Sequence, residues 1–365
     1  MSEWQTFCLK DLGQIVGGTT PSTNNPKNYG NKIAWITPKD LSTLQGRYIK
    51  KGSRNISRLG FKSCSCVLLP KHAILFSSRA PIGYVAIAKK RLCTNQGFKS
   101  IIPNKKIYFE FLYYLLKYHK DNISNIGGGT TFKEVSRATL GLFKVKIPPT
   151  YYEQQKIART LSILDQKIEN NHKINELLHT LAYKIYEYYF KYKPKNAKLE
   201  QIIIENPKSS IMVKNAQKTQ DKYPFFTSGD NILSYPKAII DGRNCFLSTG
   251  GNAGIKFYVG KASYSTDTWC ICANEFSDYL YLLLSNIKTH INQSFFQGTS
   301  LKHLQKNLLK KYPIYMPSVH EIKKFNQIIM PLLTLISINT RTSKKLEQIR
   351  DFLLPLLLNQ QVKPQ

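Results

Sequence analysis

The sequence contains few acidic residues, and this shortage is its first informative property. Lysine and arginine together number 53, aspartate and glutamate only 22, and the formal net charge is +31. A codon bias explains part of the excess, since 43 of the basic residues are lysine, but it does not explain the scarcity of acids. A surplus of this size predicts a polyanionic partner.

Long apolar runs are also missing. The most apolar segments, 328–338 and 352–358, are shorter than the roughly 20 residues that a membrane-spanning helix needs, and each contains a proline. The N-terminus lacks a charged region followed by an apolar stretch, so no signal peptide is predicted. We therefore expect a cytoplasmic protein. As the polyanionic partner, nucleic acid is favoured over an anionic membrane, because no basic amphipathic helix is evident.

Metal-binding spacing is absent from the cysteines. The pairs Cys64/Cys66 and Cys270/Cys272 are separated by one residue, whereas zinc sites usually have a two-residue gap, and no paired histidines lie nearby. The seven cysteines are predicted to be reduced thiols buried on strands, which fits the cytoplasm.

Catalytic motifs are missing as well. The glycine-rich segment 127–130 is not followed by the Gly-Lys-Ser/Thr of a phosphate-binding loop. The segments 25–27 and 206–208 are turn signals and not methyltransferase motifs, and the Glu-x-Lys at 321–323 opens a predicted helix instead of lying on a strand. No catalytic, cofactor-binding or metal-binding residue is therefore predicted on this chain.

What the sequence does contain is a duplication. Residues 129–133 (GTTFK) recur without a gap as 298–302 (GTSLK), and each copy leads to a proline and then to a capping box, in which a hydroxyl and a glutamate satisfy donors at a helix N-terminus. The capping pairs are Thr150 with Glu153 and Ser318 with Glu321. This pattern predicts two similar units on one chain.

Each capping box opens a long segment with apolar residues at helical spacing. The two stripes, which correspond at an offset of 168, are Ile157, Leu161, Leu164, Ile168, Asn171, Leu178, Leu181, Ile185 and Tyr188, and Phe325, Ile329, Leu332, Ile336, Asn339, Leu346, Ile349, Leu353 and Leu356. Each predicts a helix of about 38 residues, or roughly 57 Å. The long excursion between the helices favours an antiparallel, coiled-coil-like pair.

Four residues within these helices interrupt the pattern. Asn171 and Asn339 either fix the register of the pair as buried polar residues or lie on a solvated edge of the stripe. Pro331 predicts a bend or a late start of the second helix, and Pro355 predicts fraying toward the C-terminus.

Strand-length apolar runs punctuated by glycine and proline predict β-rich structure before each helix. The fold class is thus α+β: two β-rich globular domains joined by two long antiparallel helices, with an internal pseudo-twofold repeat. The predicted boundaries are 1–149 for the first domain, 150–192 for the first helix, 193–317 for the second domain and 318–365 for the second helix and tail. Most of the positive charge lies in the two domains, because 1–150 and 191–318 carry 24 and 17 basic residues but only 6 and 8 acidic ones.

The arrangement resembles the DNA-specificity subunits of type I restriction–modification systems. The resemblance rests on the duplicated Gly-Thr-(Thr/Ser)-x-Lys, the segments 17–22 (GGTTPS), 35–41 (WITPKDL) and 79–83 (RAPIG), and 147–157, where Ile-Pro-Pro leads into Glu-Gln-Gln-Lys-Ile. The second repeat departs from it, since Ile322-Lys323-Lys324 replaces Gln-Gln-Lys.

The resemblance implies a non-catalytic reader of double-stranded DNA. Each domain would bind one half of a bipartite, asymmetric site, while the helices would set the gap and dock two modification subunits. S-adenosylmethionine would be bound by those subunits, and ATP and Mg²⁺ by separate restriction subunits, so no cofactor would be bound by this chain. An RNA-binding or structural scaffold with duplicated domains is the alternative.

Candidate DNA-binding residues lie in loops that follow predicted strands. They are Thr37, Lys39, Ser78, Arg79, Asn95, Gln96, Thr130 and Lys133 in the first domain, and Thr227, Asp230, Thr249, Asn252, Lys256, Thr266 and Lys302 in the second. Arg79 matches guanine, and Asn95 or Gln96 matches adenine, in the major groove. The alternative is that these side chains cap turns. Lys133 and Lys302 recur in both halves, which suits phosphate contact or helix capping better than base reading.

Overall fold

Each half of the chain ends in a 40-residue helix in the computed structural model, which describes residues 3–129, 133–216 and 222–363. The two capping boxes are confirmed. The Glu153 amide donates to Thr150 Oγ1 at 3.2 Å, and the Ser318 amide donates to Glu321 Oε2 at 2.9 Å. The helices are α1 Leu9–Leu12, α2 Pro38–Ser42, α3 Arg58–Lys62, α4 Phe109–Asn125, α5 Arg137–Leu142, α6 Tyr151–Phe190, α7 Val213–Ala216, α8 Ser277–Asn286, α9 Lys288–Ser294, α10 Lys306–Lys310 and α11 Val319–Leu358.

The chain forms two units, and the division between them falls inside both long helices. The first unit comprises residues 1–169 and 346–365, and the second comprises 170–345. The domain boundaries predicted from the sequence are a different division, and they stay a prediction.

In the part of the first unit that the structure describes, ten strands form a five-stranded sheet, a three-stranded sheet and a separate antiparallel pair. The strands are β1 Gln5–Cys8, β2 Gly13–Gly17, β3 Tyr29–Ile36, β4 Tyr48–Ile49, β5 Arg54–Ile56, β6 Ile74–Phe76, β7 Val85–Ala88, β8 Cys93–Thr94, β9 Lys99–Pro103 and β10 Lys144–Ile147. The strand orders are β2-β9-β6-β7-β4 and β5-β3-β8, and β1 pairs with β10.

The second unit has a closely related set. Its strands are β11 Ala197–Lys198, β12 Ile204–Glu205, β13 Tyr223–Phe226, β14 Leu233–Tyr235, β15 Arg243–Ser248, β16 Ile255–Val259, β17 Ser263–Tyr264, β18 Thr268–Cys272, β19 Phe296–Gln297, β20 His303–Leu304 and β21 Pro313–Ile314. The larger sheet has the order β12-β18-β15-β16 and the smaller one β14-β13-β17, while β11 pairs with β21.

The two units therefore share most of their topology, and the first has an additional edge strand, β4, which pairs in parallel with β7. The matching strands β9-β6-β7 and β18-β15-β16 are antiparallel, and each smaller sheet contains one parallel pair, β3 with β8 and β13 with β17. The repeated glycines Gly129 and Gly298 both have positive φ, +116° and +140°, a backbone conformation that favours glycine. The predicted fold class, with its β-rich units, long helices and internal repeat, is confirmed.

The helix pairing is antiparallel. In the second unit Asn171 Nδ2 donates to Ser343 Oγ at 3.2 Å, and Asn339 Nδ2 donates to Asn175 Oδ1 at 2.9 Å. In the first unit Arg350 Nη1 donates to Asp165 Oδ1 at 2.7 Å. Asn171 is buried, so of the two alternatives for the asparagines the structure favours polar pairing that fixes the register.

The structure excludes a late helix start at Pro331 and contradicts the fraying expected at Pro355. α11 begins at Val319 and contains Pro331. It also continues through Pro355 to Leu358, and Leu354, Leu357 and Leu358 lie in the core of the first unit.

The predicted apolar stripes were wrong near their C-terminal ends. Leu181, Tyr188 and Ile349 are 48, 87 and 47 % exposed, whereas Ala182 and Tyr186 are buried. The reason is that the predicted stripe steps by 3.5 residues on average, while an α-helix has 3.6 residues per turn and its buried face drifts forward along the sequence.

The cysteines are free, but not all of them are buried on strands as predicted. Cys64 and Cys66 lie in the segment after α3 and are only partly buried, as are Cys8 and Cys272. Among the described residues no helix is both long and apolar enough to cross a bilayer, and no group of three or more His, Cys, Asp or Glu residues is arranged to hold a metal ion.

Candidate nucleic-acid interface

Loops that follow β2, β3, β6 and β8 meet at one edge of the first unit. Each loop is joined to another by a backbone hydrogen bond, so the edge is a single surface built from distant parts of the sequence. The bonds run from Thr19 N to Thr94 O (3.0 Å), Asn95 N to Ile36 O (2.9 Å), Ser78 N to Gly97 O (2.8 Å) and Val135 N to Ser78 O (3.0 Å).

The glycine-rich segment at 17–22 is fixed in this surface. Trp35 Nε1 donates to the Thr19 carbonyl at 3.0 Å, and the Tyr29 hydroxyl donates to the Pro21 carbonyl at 2.8 Å. A Cβ on Gly18 would lie 2.0 Å from the Asn95 carbonyl oxygen, closer than any real contact. Glycine at this position therefore lets two loops pack directly backbone to backbone.

Several candidate side chains of the first unit are exposed at this surface. Lys39, Gln96 and Lys133 are exposed, and Arg79 is 37 % exposed beside Glu134, with 3.5 Å between Nη1 and Oε2. Lys99 Nζ donates to Glu134 Oε1 at 2.8 Å, and this hydrogen bond holds the pKa of the Glu134 carboxyl below its usual value. Glu134 thus orients two cations.

Three other candidates serve mainly the loops themselves. The Thr37 hydroxyl donates to Asp40 at the start of α2, Ser78 is fully buried, and Asn95 Oδ1 accepts from the Gly97 amide at 3.0 Å. For these residues the alternative that they cap turns describes their contacts. Thr130 lies outside the described residues.

The second unit repeats this set of loops joined by backbone hydrogen bonds, here called the loop frame. Its equivalent loops are joined by bonds from Thr249 N to Asp267 O (3.1 Å), Ser265 N to Phe226 O (2.9 Å) and Leu304 N to Thr249 O (3.0 Å). These bonds match those at Ser78, Asn95 and Val135 in the first unit. The same backbone scaffold therefore presents a loop surface twice.

The side chains on the second surface differ from those on the first. Asp230, Asn252, Thr266 and Lys302 are exposed. By contrast, three candidates form hydrogen bonds within the loops. Thr227 Oγ1 accepts from the Gly229 amide, and Thr249 Oγ1 donates to the Asp267 carbonyl. Lys256 Nζ donates to the carbonyls of Thr227 and Gly229. Burial lowers the pKa of Lys256. Its ammonium group bridges two carbonyls of the same loop.

Acidic residues of the first unit are largely engaged in holding the fold. Asp40 accepts from the amides of Thr37 and Ser53 at 2.8 and 2.7 Å. Burial raises the pKa of its carboxyl, but these bonds outweigh burial and the net pKa lies below the usual value. Glu110 and Glu169 bind Arg47. Exposed lysines are thus left to dominate the electrostatic potential of this unit.

Comparison with known proteins places this arrangement in a family. The model of the type I restriction modification DNA specificity domain matches residues 1–180 and 195–348. The chain belongs to this family. It is 33% identical to the type I restriction enzyme MjaIX specificity subunit of Methanocaldococcus jannaschii over 98% of this chain and 93% of that protein.

Two further relatives give the same family and fold. The HindI specificity subunit of Haemophilus influenzae is 32% identical over 46% of this chain and 37% of that protein. The crystal structure of a type I restriction–modification S subunit from M. genitalium has a TM-score of 0.64 at 17% identity, covering 98% of this chain and 96% of that one. This specificity-domain chain therefore shares its fold with a solved S subunit.

Sequence analysis missed Thr20 and Glu134 as parts of the surface. The Thr20 hydroxyl donates to Oε1 of Gln96, which orients the exposed amide. A Gly-Gly-Thr-Thr-Pro segment next to a strand is a signal for a fixed loop, but its partner is 76 residues away in the sequence. No local pattern reveals that pairing.

The close approach at Gly18 generates a prediction. Gly18→Ala should destabilise the chain by about 1–3 kcal/mol, because the added methyl overlaps the Asn95 carbonyl and the loops must separate. Urea unfolding of the full chain measures this. Gly17→Ala is the matched control, since a Cβ there meets nothing within 4 Å. Equal stability of the two variants would contradict the packing described.

Proposed function

We propose that this chain is the DNA-specificity subunit of a type I restriction–modification complex, and that each β-rich unit reads one half of a bipartite, asymmetric DNA site. The observation that carries the proposal is one loop frame presented twice with different exposed side chains. Lys39, Gln96 and Lys133 stand on the first surface, and Asp230, Asn252 and Thr266 on the second. Different polar groups on equal frames favour different base sequences.

Charge supports duplex DNA as the ligand. The two regions that hold the loop surfaces carry most of the surplus of basic residues, and neutralised phosphates supply much of the affinity for DNA. Lys133 and Lys302 occupy matching positions in the repeat and suit contacts with phosphates. Side chains that differ between the units, such as Gln96 and Thr266, suit base edges.

The chemistry of modification and cleavage belongs to partner subunits in this proposal. Modification subunits bring S-adenosylmethionine and restriction subunits bring ATP and Mg²⁺, while this chain binds no cofactor and supplies sequence reading alone. The cytoplasm, where host DNA is modified, is the compartment that this role requires.

The first test separates the two half-sites. In the complex with modification subunits, Gln96→Ala should relax base preference in one half-site by about 1–3 kcal/mol, or roughly 5- to 150-fold, because a bidentate contact to a base edge is lost. Thr266→Ala should affect only the other half-site. Binding to duplexes with single-base changes measures both effects.

Lys146→Ala is the control for this test. Lys146 is exposed on β10, outside the loop surface, and its loss should leave the base preference unchanged. Protection of one continuous site, or a preference for structured RNA over duplex DNA, would overturn the proposal.

The paired helices are proposed to set the unspecified gap between the half-sites. The hydrogen bonds from Asn171 to Ser343 and from Asn339 to Asn175 fix one register, so a matched insertion on both helices preserves the pairing pattern on each side.

Inserting about four residues after Lys173 and after Thr340 should lengthen the gap, since one turn adds about 5.4 Å, and leave both half-sites unchanged. Sequencing of methylated adenines reads the gap directly. The control carries the insertion in α6 alone, which breaks the register and should abolish specific modification. A double insertion that modifies sites with the original gap would refute the spacer role.

The long helices are also proposed to dock the modification subunits. In the second unit, α6 exposes a row of apolar residues on one face, here called the helix stripe: Ile174, Leu177, Leu181 and Tyr188, which are 43, 70, 48 and 87 % exposed. Leu181 has an equally exposed counterpart in the repeat, Ile349. This shared exposed apolar position supports the binding of one copy of the same partner by each helix.

Leu177→Glu should abolish co-purification with the modification subunits, because a carboxylate in an apolar contact is costly. Unfolding and weak DNA binding by the chain alone should be unchanged, since Leu177 is mostly exposed. Glu176→Lys, which lies away from the helix stripe, is the matched control for a charge change on α6. Undiminished assembly of the Leu177 variant would exclude this face as the docking site.

A further inference from the structure

Three thiols converge under the glycine-rich loop of the first unit. Cys64 and Cys66 follow α3, with 3.0 Å between their sulfur atoms, and Cys93 lies on β8. Cys93 is fully buried, whereas Cys64 and Cys66 are partly exposed. A small solute in water can therefore reach this pair, but not the thiol beneath it.

Cys66 is the focus of this cluster. Its sulfur accepts from the Thr19 hydroxyl at 3.0 Å and from the Cys64 thiol. Hydrogen bonding from Cys93, together with that from Thr19 and Cys64, lowers the pKa of the Cys66 thiol to about 6, although burial opposes the shift. Burial and the bond to Cys66 raise the pKa of Cys64. The surroundings of Cys66 thus favour its thiolate, whereas those of Cys64 favour the protonated thiol.

The same residue, Thr19, joins this sulfur to the loop surface. Its amide donates to the Thr94 carbonyl and its carbonyl accepts from Trp35 Nε1. The next residue, Thr20, orients the amide of Gln96. The hydrogen bond to the Cys66 sulfur is thus one of the restraints that place Thr20 beside Gln96.

We propose that Cys66 is a peroxide-reactive thiolate that forms a disulfide with Cys64, and that this oxidation weakens reading of DNA by the first unit. The Cys66 thiolate attacks hydrogen peroxide, the O–O bond breaks, and a sulfenic acid and hydroxide form. The Cys64 sulfur then displaces the sulfenic oxygen as water, giving the disulfide. Two electrons pass from the two sulfurs to one peroxide.

The consequence for the loop follows from the chemistry of sulfur. A disulfide sulfur carries no charge and accepts hydrogen bonds weakly, so the Thr19 hydroxyl loses a charged acceptor. The second unit has no such cluster at its surface among the described residues, since Cys245 and Cys270 are buried. The effect on DNA reading, which rests on the proposed function, should therefore be confined to one half-site.

The thiol chemistry is tested without DNA on the full chain. After hydrogen peroxide treatment, peptide mass mapping should find a Cys64–Cys66 disulfide before Cys8, a partly buried thiol without these neighbours, is oxidised. Cys64→Ser should leave a sulfenic acid on Cys66 that a dimedone probe traps. Thr19→Val should slow the reaction by up to about tenfold, since loss of the donor raises the pKa of the thiol. Oxidation of Cys66 no faster than that of Cys8 would overturn the proposal.

The effect on reading is tested in the complex with modification subunits. Peroxide should weaken discrimination in the half-site that Gln96→Ala affects and not in the other, and dithiothreitol should restore it. Cys66→Ser should be insensitive to peroxide. Reduced protein that lacks base preference would count against the proposed function, whereas oxidised protein that keeps its preference in both half-sites would count against the switch alone.

Discussion

Arginine–carboxylate pairs with buried partners fix the β-structure of each unit to its helices, and the rest of the structure depends on them. In the first unit Arg47 is 3 % exposed and binds Glu110 on α4 at 3.0 Å and Glu169 on α6 at 3.1 Å. In the second unit Arg243 pairs with Asp278 on α8 and donates to Thr334 on α11 at 3.0 Å. Removing one partner of such a pair leaves a buried charge, which typically costs about 3–5 kcal/mol.

The two units form this ion pair with arginines from different places in the fold. Glu110 and Asp278 occupy the same place in the repeat, at an offset of 168, but Arg47 directly precedes β4 while Arg243 opens β15. The duplication has therefore preserved an acidic position on the short helix and the charge pair it makes, although the source of the arginine differs. What the repeat preserves is a fixed attachment of β-structure to helix.

Local signals made the helices and the repeat predictable from the sequence. Thr150 and Glu153 form their capping bonds within one turn, and apolar spacing within a helix needs no knowledge of the remaining chain. The predictions failed where residues far apart in the sequence determine the structure. α11 keeps Pro331 in its interior, where Ile329 and Leu333 on either side of it are buried in the core of the second unit. Exposure of Leu181 and Ile349 follows from drift of the buried face over several turns.

The candidate surface was predictable as a set of loops but not as a set of side chains. A loop after a strand is local information, whereas the direction of Ser78, Thr249 or Lys256 depends on carbonyls in other loops. Lys256 illustrates this, because a lysine predicted from its loop position to bind DNA donates to the carbonyls of Thr227 and Gly229. Thr20 and Gln96 illustrate the reverse, since neither residue alone indicates their pairing.

Backbone bonding explains how one arrangement of loops can present two different sets of exposed side chains. The bonds that close the loops run between main-chain groups at Ser78, Asn95 and Val135, and again at Thr249, Ser265 and Leu304. Such bonds do not require a particular side chain at the exposed positions between them. Gln96 and Thr266 can thus differ freely while the frames stay equal, whereas Gly18 cannot, because there the main chains touch. On the same loop surface, exposed positions are therefore free to vary, whereas positions such as Gly18 are required by the fold.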